Sequence, residues 1–457
     1  MQYIEIRALT VDSVLEASVP GSGLLRSVPG AGVVRCTEGE PYCRYNGAGD
    51  KLRTVPAIHD ISGTAWGFLK GVRVYTRVLL RSEMGGEDDL WPQADDHVDV
   101  VLAYAEWSRR MLRIRGGRQW KVSGLGFYNY DGGSVQVRPW AGIQAEVYGG
   151  WSLSRGLNEP RTGSALAAIE SFAPDERSLI LGLSGSYRPS ARFSVTGLYQ
   201  REARADRKGL TSERLGVDAL LRTGRLAFEG TFEADLASHT VNEALLRTRA
   251  TLTRSLGLQA WVRRYQPFFE LWTIWGAFSP VAFTEFGTGG SWSPSGTRAT
   301  FGLSGSWRTY GETSASSTFG NTRSTAWRIS ATGAGPITQT LTLQGRYGSD
   351  VGFGAARSFG GLRIQWDLRE GSHLGASIEV SETDFEFRVE GGTVYGAGVD
   401  GSIRLADRTA LRGGLTAYRH GGDDSGSAPN WSQLRGFIRF DWALGSEAGG
   451  TPLGGVR

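Results

Sequence analysis

The sequence predicts an all-β fold: a single transmembrane, antiparallel, up-and-down β-barrel of about 18–20 strands. Apolar and polar residues alternate in stretches of roughly ten residues along most of the chain, as expected of strands with one lipid-facing and one water-facing side. Tight turns alternate with longer loops rich in glycine, serine and aspartate, which is typical of barrels with short periplasmic turns and long external loops. The sequence has no run of about 18 apolar residues, which excludes a transmembrane helix.

The alternation is clearest between Ser178 and Arg201. Successive side chains of a strand point to opposite sides of a sheet. One face of this segment carries Leu179, Leu181, Leu183, Gly185 and Tyr187 and, after a turn at 189–191, Phe193, Val195, Gly197 and Tyr199. The other face is mostly small and polar. The segment therefore predicts a transmembrane hairpin with aromatic rings towards its ends.

Residues 1–60 lack this repeat, apart from a short alternating stretch at Tyr3–Arg7. We expect them to form an N-terminal periplasmic extension or a partial plug of the lumen. The chain has two cysteines, Cys36 and Cys43, in the sequence CTEGEPYC. This short loop favours a disulfide in an oxidising compartment such as the periplasm, with free thiols or half of a zinc site as the alternatives.

We expect the transmembrane barrel to occupy residues 61–443 and a C-terminal tail to follow over 444–457. Alternating stretches before and after the Ser178–Arg201 hairpin lie at 72–81, 98–107, 112–115, 135–138, 143–152, 214–222, 226–236, 246–253, 258–263, 298–308, 327–332, 341–347, 362–367, 374–381, 393–405, 410–418 and 433–442. A β-propeller has a similar repeat length, but its inner strands are apolar on both faces. Here nearly every strand keeps one polar face, so the barrel is the better interpretation.

One predicted loop, residues 267–286, is dense in aromatic residues. Two interpretations remain open for it. The loop folds into the lumen with its rings packed on the wall, or it forms a contact surface for a partner.

Arginine dominates the polar face of the predicted strands, and we expect these side chains to line the channel. The predicted channel-lining residues are Arg113, Arg115, Arg118, Arg138, Arg214, Arg247, Arg249, Arg263, Arg328, Arg346, Arg363 and Arg439. Fewer acidic residues are recognised on this face, and three of them, Glu229, Glu233 and Asp235, make one sector acidic. An excess of arginine favours anions in a pore, whereas pairing with acids on neighbouring strands braces the wall. Arg118 and the central-strand arginines are the predicted constriction.

No arrangement typical of catalysis, metal binding or nucleic-acid binding is recognisable in the sequence. The histidines do not form a His-Glu-x-x-His or similar motif, and the glycine-rich segments are not followed by the Gly-Lys-Ser/Thr of a phosphate loop. The net charge is +4. We therefore expect no enzymatic activity, no cofactor and no nucleic-acid partner; a membrane-embedded hydrolase is the less favoured alternative.

Residues 113–133, RIRGGRQWKVSGLGFYNYDGG, resemble a pattern in outer-membrane porins of the alginate-export type. In that pattern a strand ends in Gly-Arg-Gln, here residues 117–119, and Phe-Asp-Gly opens the returning strand, here Tyr130–Gly132. The resemblance implies a monomeric barrel of about eighteen strands that passes a polyanion or an oligosaccharide through an arginine-lined pore. The chain departs from the pattern in Tyr130, the aromatic loop, the acidic sector and the non-aromatic end after Trp442. The resemblance therefore implies a porin-like protein but does not imply alginate as its substrate.

The sequence thus predicts a porin-like channel in the bacterial outer membrane, surrounded by lipid, for passive diffusion of small polar or anionic solutes and, by resemblance, oligosaccharides. The alternative is a non-conducting structural, adhesion or partner-binding barrel. A monomer and a trimer both remain open. The N-terminal segment MQYIEIRALTVD does not have the basic start and long apolar core of a signal peptide.

Overall fold

A computed structural model describes the chain except for residues 20–24, 30–31, 37–40, 85–97, 154–177, 205–209, 238, 267–281, 312–323, 353–354, 370, 387–390, 423–429 and 445–457. Within the described part, no helix is long and apolar enough to cross a membrane.

The described residues form 25 strands. Their bounds are β1 (Gln2–Ser18), β2 (Leu25–Val28), β3 (Gly32–Arg35), β4 (Tyr42–Thr54), β5 (Pro56–Trp66), β6 (Val72–Glu83), β7 (Val98–Arg109), β8 (Leu112–Ser123), β9 (Gly126–Val137), β10 (Ile143–Ser152), β11 (Ser178–Ser190), β12 (Phe193–Arg204), β13 (Leu210–Thr223), β14 (Leu226–Asp235), β15 (Thr240–Thr251), β16 (Leu256–Tyr265), β17 (Phe283–Trp292), β18 (Thr300–Tyr310), β19 (Thr325–Pro336), β20 (Leu341–Val351), β21 (Ala355–Arg369), β22 (Ser372–Glu386), β23 (Gly392–Ala406), β24 (Thr409–Gly422) and β25 (Trp431–Trp442).

All of these strands except β2 and β3 form one closed, antiparallel barrel of 22 strands, with β4 and β5 continuing one another as a single strand of the wall. From β5 to β25 each strand pairs with the next along the chain. The ring closes where β1 pairs with β25, from Gln2 opposite Phe440 to Val11 opposite Trp431. The predicted all-β antiparallel barrel is confirmed, and its strand number is even, as in bacterial single-chain barrels.

The barrel has more strands than the 18–20 that the alternation predicts, because its wall begins at β1 and not near residue 61. The segment expected to be a periplasmic extension or a plug supplies β1, β4 and the start of β5 to the wall. Its alternation is hard to recognise for two reasons. A register shift opposite Val11–Ser13 places one extra residue in β4 and interrupts its alternation, and β4 is also rich in polar residues and glycine.

Side chains reinforce the contact between β1 and β25. The buried carboxylate of Glu5 accepts hydrogen bonds from Tyr3 Oη (2.8 Å), Arg7 Nε (2.6 Å) and Arg435 Nε (3.0 Å). Arg435 lies on β25, so this cluster joins the first strand of the barrel to the last. We call it the seam.

The two ends of the barrel differ as predicted. At one end, called the short-turn end, strands are joined by brief turns such as 110–111, 191–192, 224–225 and 407–408. At the other, called the long-loop end, some connections are much longer, including 84–97, 153–177 and 266–282. An exception is the hairpin of β8 and β9, which turns at the long-loop end through Gly124 and Leu125 alone. Most of the predicted aromatic loop and almost all of the predicted C-terminal tail, residues 267–281 and 445–457, lie outside the described residues.

A small structure that we call the disulfide tip extends the wall at the long-loop end. Above the last residues paired with β25, β1 and β4 continue as a two-stranded hairpin, with Ser13–Ser18 opposite Tyr42–Gly47. The small sheet β2–β3 follows, and Cys36 and Cys43 are joined by a disulfide. Both cysteines are buried in a cluster with two valines, Val19 and Val28.

We predict that the double substitution Cys36→Ser/Cys43→Ser loosens the disulfide tip and leaves the barrel closed. Loss of the cross-link should cost about 2–4 kcal/mol of local stability, whereas the β1–β25 pairing ends at Val11, below the tip. Limited proteolysis should cut the variant between residues 18 and 42 faster than the wild type. Its heat-dependent electrophoretic mobility should stay unchanged; loss of that mobility shift would show that the tip is needed for barrel closure.

Candidate functional site

The strand register separates the side chains of the wall into an apolar and a polar face. On the apolar face, side chains such as Leu181 and Ile378 are 50% and 59% exposed, as expected of a surface that lipid covers. On the polar face, charged side chains pack against those of neighbouring strands and line a recess of about 480 Å³. Glu243, Arg263, Glu285 and Arg328 are among the residues lining it. A concave surface of this kind belongs to the inside of a closed barrel, so the polar face lines the lumen.

The register places eleven of the twelve predicted arginines on or next to the luminal face and one on the outer face. Arg118 is the exception. Counting in twos from Arg113 along β8, the luminal row continues through Gln119, whereas Arg118 shares the outer row with Ile114 and Trp120. The wall therefore does not place Arg118 at a luminal constriction, and the prediction that it forms one is wrong.

Arg118 has a structural partner instead. Its guanidinium binds Asp131 on β9 through two hydrogen bonds of 2.9 and 3.0 Å and donates a third to the carbonyl oxygen of Val100 (3.0 Å). Val100 lies where the pairing of β6 and β7 shifts register. Arg118 thus supports an irregular point of the wall.

The other predicted arginines are, with one exception, paired with carboxylates. Including Arg118, eleven of the twelve have a side-chain nitrogen 3.7 Å or less from a carboxylate oxygen. The pairs are Arg113 and Arg115 with Glu106, Arg118 with Asp131, Arg214 with Glu233, Arg247 and Arg249 with Glu229, Arg263 with Glu243, Arg328 with Asp350, Arg346 with Glu379, Arg363 with Asp400, and Arg439 with Asp441.

These pairs make the wall close to charge-balanced where the sequence predicts an excess of arginine. Several of the paired acids, such as Glu106, Glu243 and Asp350, are hard to recognise in the sequence because they lie near the ends of strands whose alternation is clear only in the middle. Most pairs join neighbouring strands, so they hold the wall together. The exception, Arg138, binds the amide oxygens of Gln144 (3.1 Å) and Gln136 (3.5 Å).

The end of the β8–β9 hairpin reaches into the lumen. Beyond Arg118 its first strand has no partner in β7, so the end of the hairpin, residues 119–130, is free to lean inwards. Its turn reaches the luminal surface of β12 and β13: Leu125 is buried beside Leu198 and Gly216. We call residues 119–130 the luminal hairpin.

A buried cluster on the wall holds the luminal hairpin in place. Tyr128 and Tyr130 pack with Tyr148 of β10 and Ile180 of β11, and these last two are 3% and 0% exposed. Lys121 of the hairpin also binds the carboxylate of Glu146 on β10 at 2.6 Å. Apolar packing and an ion pair together fix the hairpin over β10 and β11.

Tyr148 depends on a glycine to reach its partner across the wall. Its ring lies over Gly182, where an added Cβ would be 2.1 Å from the ring. The absence of a side chain at Gly182 lets the Tyr148 hydroxyl donate to Gln200 Oε1 on β12, at 3.1 Å. A larger residue at position 182 would displace the Tyr148 ring and disturb the packing that holds the luminal hairpin in place.

An ion pair beneath the luminal hairpin is almost completely enclosed. The guanidinium of Arg214 lies 5.6 Å from the ring centre of Tyr128 and binds Glu233 at 3.1 Å. Arg214 is 5% exposed. The sequence predicts a luminal position for Arg214 but does not predict the hairpin above it. The available signal was the presence of large apolar residues, Ile180 and Leu198, in luminal positions of otherwise polar rows.

Comparisons with known proteins give only distant similarity. No protein-family model matches the sequence, and no curated protein matches it. Solved structures similar to this chain include the P pilus usher (PapC) translocation pore, at 8% identity and TM-score 0.42 over 97% of this chain and 100% of that one. Another is Acinetobacter baumannii OccAB4, at 9% identity and TM-score 0.36 over 96% of this chain and 97% of that one. A third is a bacterial polysaccharide outer membrane secretin, at 11% identity and TM-score 0.34 over 66% of this chain and 98% of that one. Similarities this low do not identify a function for this chain.

The architecture itself gives the class of protein. A closed antiparallel wall with an even number of strands, an apolar outer face and short turns at one end is the arrangement of a bacterial outer-membrane β-barrel. Such a barrel satisfies the backbone hydrogen bonds of its strands within the wall, which the membrane requires.

We predict that Arg214→Gln lowers the free energy of unfolding by about 3–5 kcal/mol, because it leaves the mostly buried Glu233 carboxylate without its cation. Arg346→Gln is the matched control. Arg346 also pairs with a glutamate, Glu379, but both side chains are exposed, so its loss should cost under about 1 kcal/mol. Urea unfolding of both variants in the same detergent would test the difference; equal costs would contradict the enclosed position of the Arg214 pair.

Proposed function

We propose that this protein is an outer-membrane channel through which small polar solutes diffuse passively. The observation that supports this proposal is the luminal face, which carries charged and hydroxyl side chains around a closed wall of 22 strands. Side chains fill the interior of barrels with about eight strands, whereas wider barrels enclose water or a plug. In the described part of this chain, the luminal hairpin takes up some of that space.

The luminal hairpin is the restricting element in this proposal. It stands on the wall at β10–β13, with Leu125 and Tyr128 against residues of β12 and β13. A solute entering from the long-loop end passes between the hairpin and the opposite wall. The hairpin is held by packing and by the Lys121–Glu146 ion pair, so its position, and with it the free cross-section, is well defined.

The proposed solutes are small and polar, without a charge preference imposed by the wall as a whole. Most of the predicted luminal arginines are neutralised by a nearby carboxylate. Such pairs offer hydrogen bonds to water and to polar solutes in many directions, while their fields cancel over a few ångströms. A preference for anions, which the sequence predicts, therefore requires a place where the pairing is incomplete.

A non-conducting barrel that binds a partner is the second candidate. The observation that favours it is the disulfide tip at the long-loop end. Its small sheet exposes Leu25 and Val33 by 69% and 71%, beside a core that the Cys36–Cys43 disulfide stabilises. Exposed apolar side chains on a rigid support are typical of contact surfaces.

We predict that shortening the luminal hairpin increases single-channel conductance. Gln119 and Tyr130 face each other in the hairpin register, so residues 120–129 can be replaced by a two-residue Asn-Gly turn without changing the rest of the wall. Planar-bilayer recordings of the shortened and wild-type proteins in the same salt would measure the change.

The control for this experiment is Ile378→Ala, which removes a side chain from the apolar outer face of β22 and should leave conductance and ion preference unchanged. A folded wild-type barrel that passes no current would overturn the channel proposal and favour the partner-binding barrel. Equal conductance of the shortened and wild-type proteins would show that the luminal hairpin does not restrict the pore.

A further inference from the structure

Three neighbouring strand ends bring arginines together at the short-turn end. The backbone N–H of Arg138 donates to the carbonyl oxygen of Met111 at 2.8 Å, which joins the turn after β9 to the turn after β7. The backbone N–H of Arg188 donates to the carbonyl oxygen of Gly142 at 2.6 Å, which joins the end of β11 to the same turn. Arg110, Arg138 and Arg188 thereby line one cavity of about 800 Å³. We call these three residues the mouth triad.

The backbone geometry that aligns the mouth triad is specific. Gly142 has a φ of +84°, which favours glycine. A Cβ at this position would lie 2.4 Å from the carbonyl oxygen of Arg188. Only a residue without a side chain allows the two backbones to approach this closely, so the distance between the arginines of the two elements depends on Gly142.

The lining of this cavity combines three arginines with uncharged polar groups. Besides the mouth triad it includes polar groups from the luminal rows of β10, β11 and β12, namely Gln144, Ser186, Ser194 and Thr196. None of its lining residues is acidic. Within the described residues, Arg138 is also the predicted channel-lining arginine whose polar contacts are amides.

We propose that the mouth triad forms a binding site for oxyanions, of the carboxylate or phosphate type, at the luminal side of the short-turn end. Three cations around one cavity repel each other until an anion enters, and a guanidinium presents paired N–H donors that match the two oxygens of a carboxylate or phosphate. The hydroxyl and amide groups of the lining supply further hydrogen bonds. Because the three arginines are exposed to solvent, the site is salt-sensitive.

This site supplies the incomplete pairing that a preference for anions needs. It rests on the proposed channel function only for its effect on current, since binding of an anion does not require an open pore. Trp140, 71% exposed on the same rim, adds a flat apolar surface beside the cations. Solutes that combine an oxyanion with an apolar ring fit this arrangement.

The test compares two triple variants of the full chain with the same change in charge. Arg110→Gln/Arg138→Gln/Arg188→Gln removes the mouth triad. Arg192→Gln/Arg225→Gln/Arg254→Gln, the control, removes three exposed arginines from other turns of the same end, none of which lines the cavity. Titration calorimetry with inorganic pyrophosphate, in zwitterionic detergent at low salt, measures binding without any lipid phosphate.

We expect pyrophosphate to bind the wild type and the control with similar affinity and the mouth-triad variant at least about tenfold more weakly. Gly142→Val, which keeps every charge, should also weaken binding if its heat-dependent electrophoretic mobility shows a folded barrel. Equal weakening in both triple variants would overturn the proposal in favour of general charge at the rim, as would a wild type that does not bind pyrophosphate.

Recordings under a salt gradient separate this proposal from the channel function. The wild type and the control should prefer anions, and the mouth-triad variant should lose that preference while keeping its conductance. Current without pyrophosphate binding would overturn the site and leave the channel standing. Binding without current would overturn the channel and leave the site standing.

Discussion

The structure depends on one constraint: the N–H and C=O groups of a chain that crosses lipid need partners within the protein. Here every strand of the wall has a neighbour on both sides, and the last strand returns to the first. Once the backbone is satisfied in this way, side chains alternate between lipid and lumen along the regular parts of each strand. The polar face, with the ion pairs that brace it and the hairpin seated on it, is a consequence of that closure.

On the luminal face, the pairing of charges decides where the wall is structural and where it is able to act on a solute. Arg214 and Glu233 are buried together, and their main effect is on stability. At the short-turn end, Arg138 has amide partners, and its neighbours in the mouth triad share a cavity without acids. The same residue type therefore has a structural role in one place and, in our proposal, a binding role in another.

The sequence predicts most of the wall and little of what lies inside it. Alternation assigns the two faces of strands such as β11 and β12 correctly, since that pattern depends only on neighbours in the chain. It fails where a bulge or register shift interrupts the count, as in β4 opposite β1. At Arg118 a strict count gives the outer face, because Arg118 is an even position and the luminal row of β8 is odd. Alternation does not predict the luminal hairpin, because its contacts, such as Leu125 with Gly216, join distant segments.

The seam has a consequence for the order in which the barrel forms. Glu5 and Arg435 are separated by 430 positions in the chain, so the first strand has no partner on that side until almost the whole protein has been made. Contacts so distant in sequence form slowly, and an unpaired strand edge readily joins another chain. The nascent barrel therefore exposes the edge of β1 until β25 arrives, and formation of the seam removes that edge.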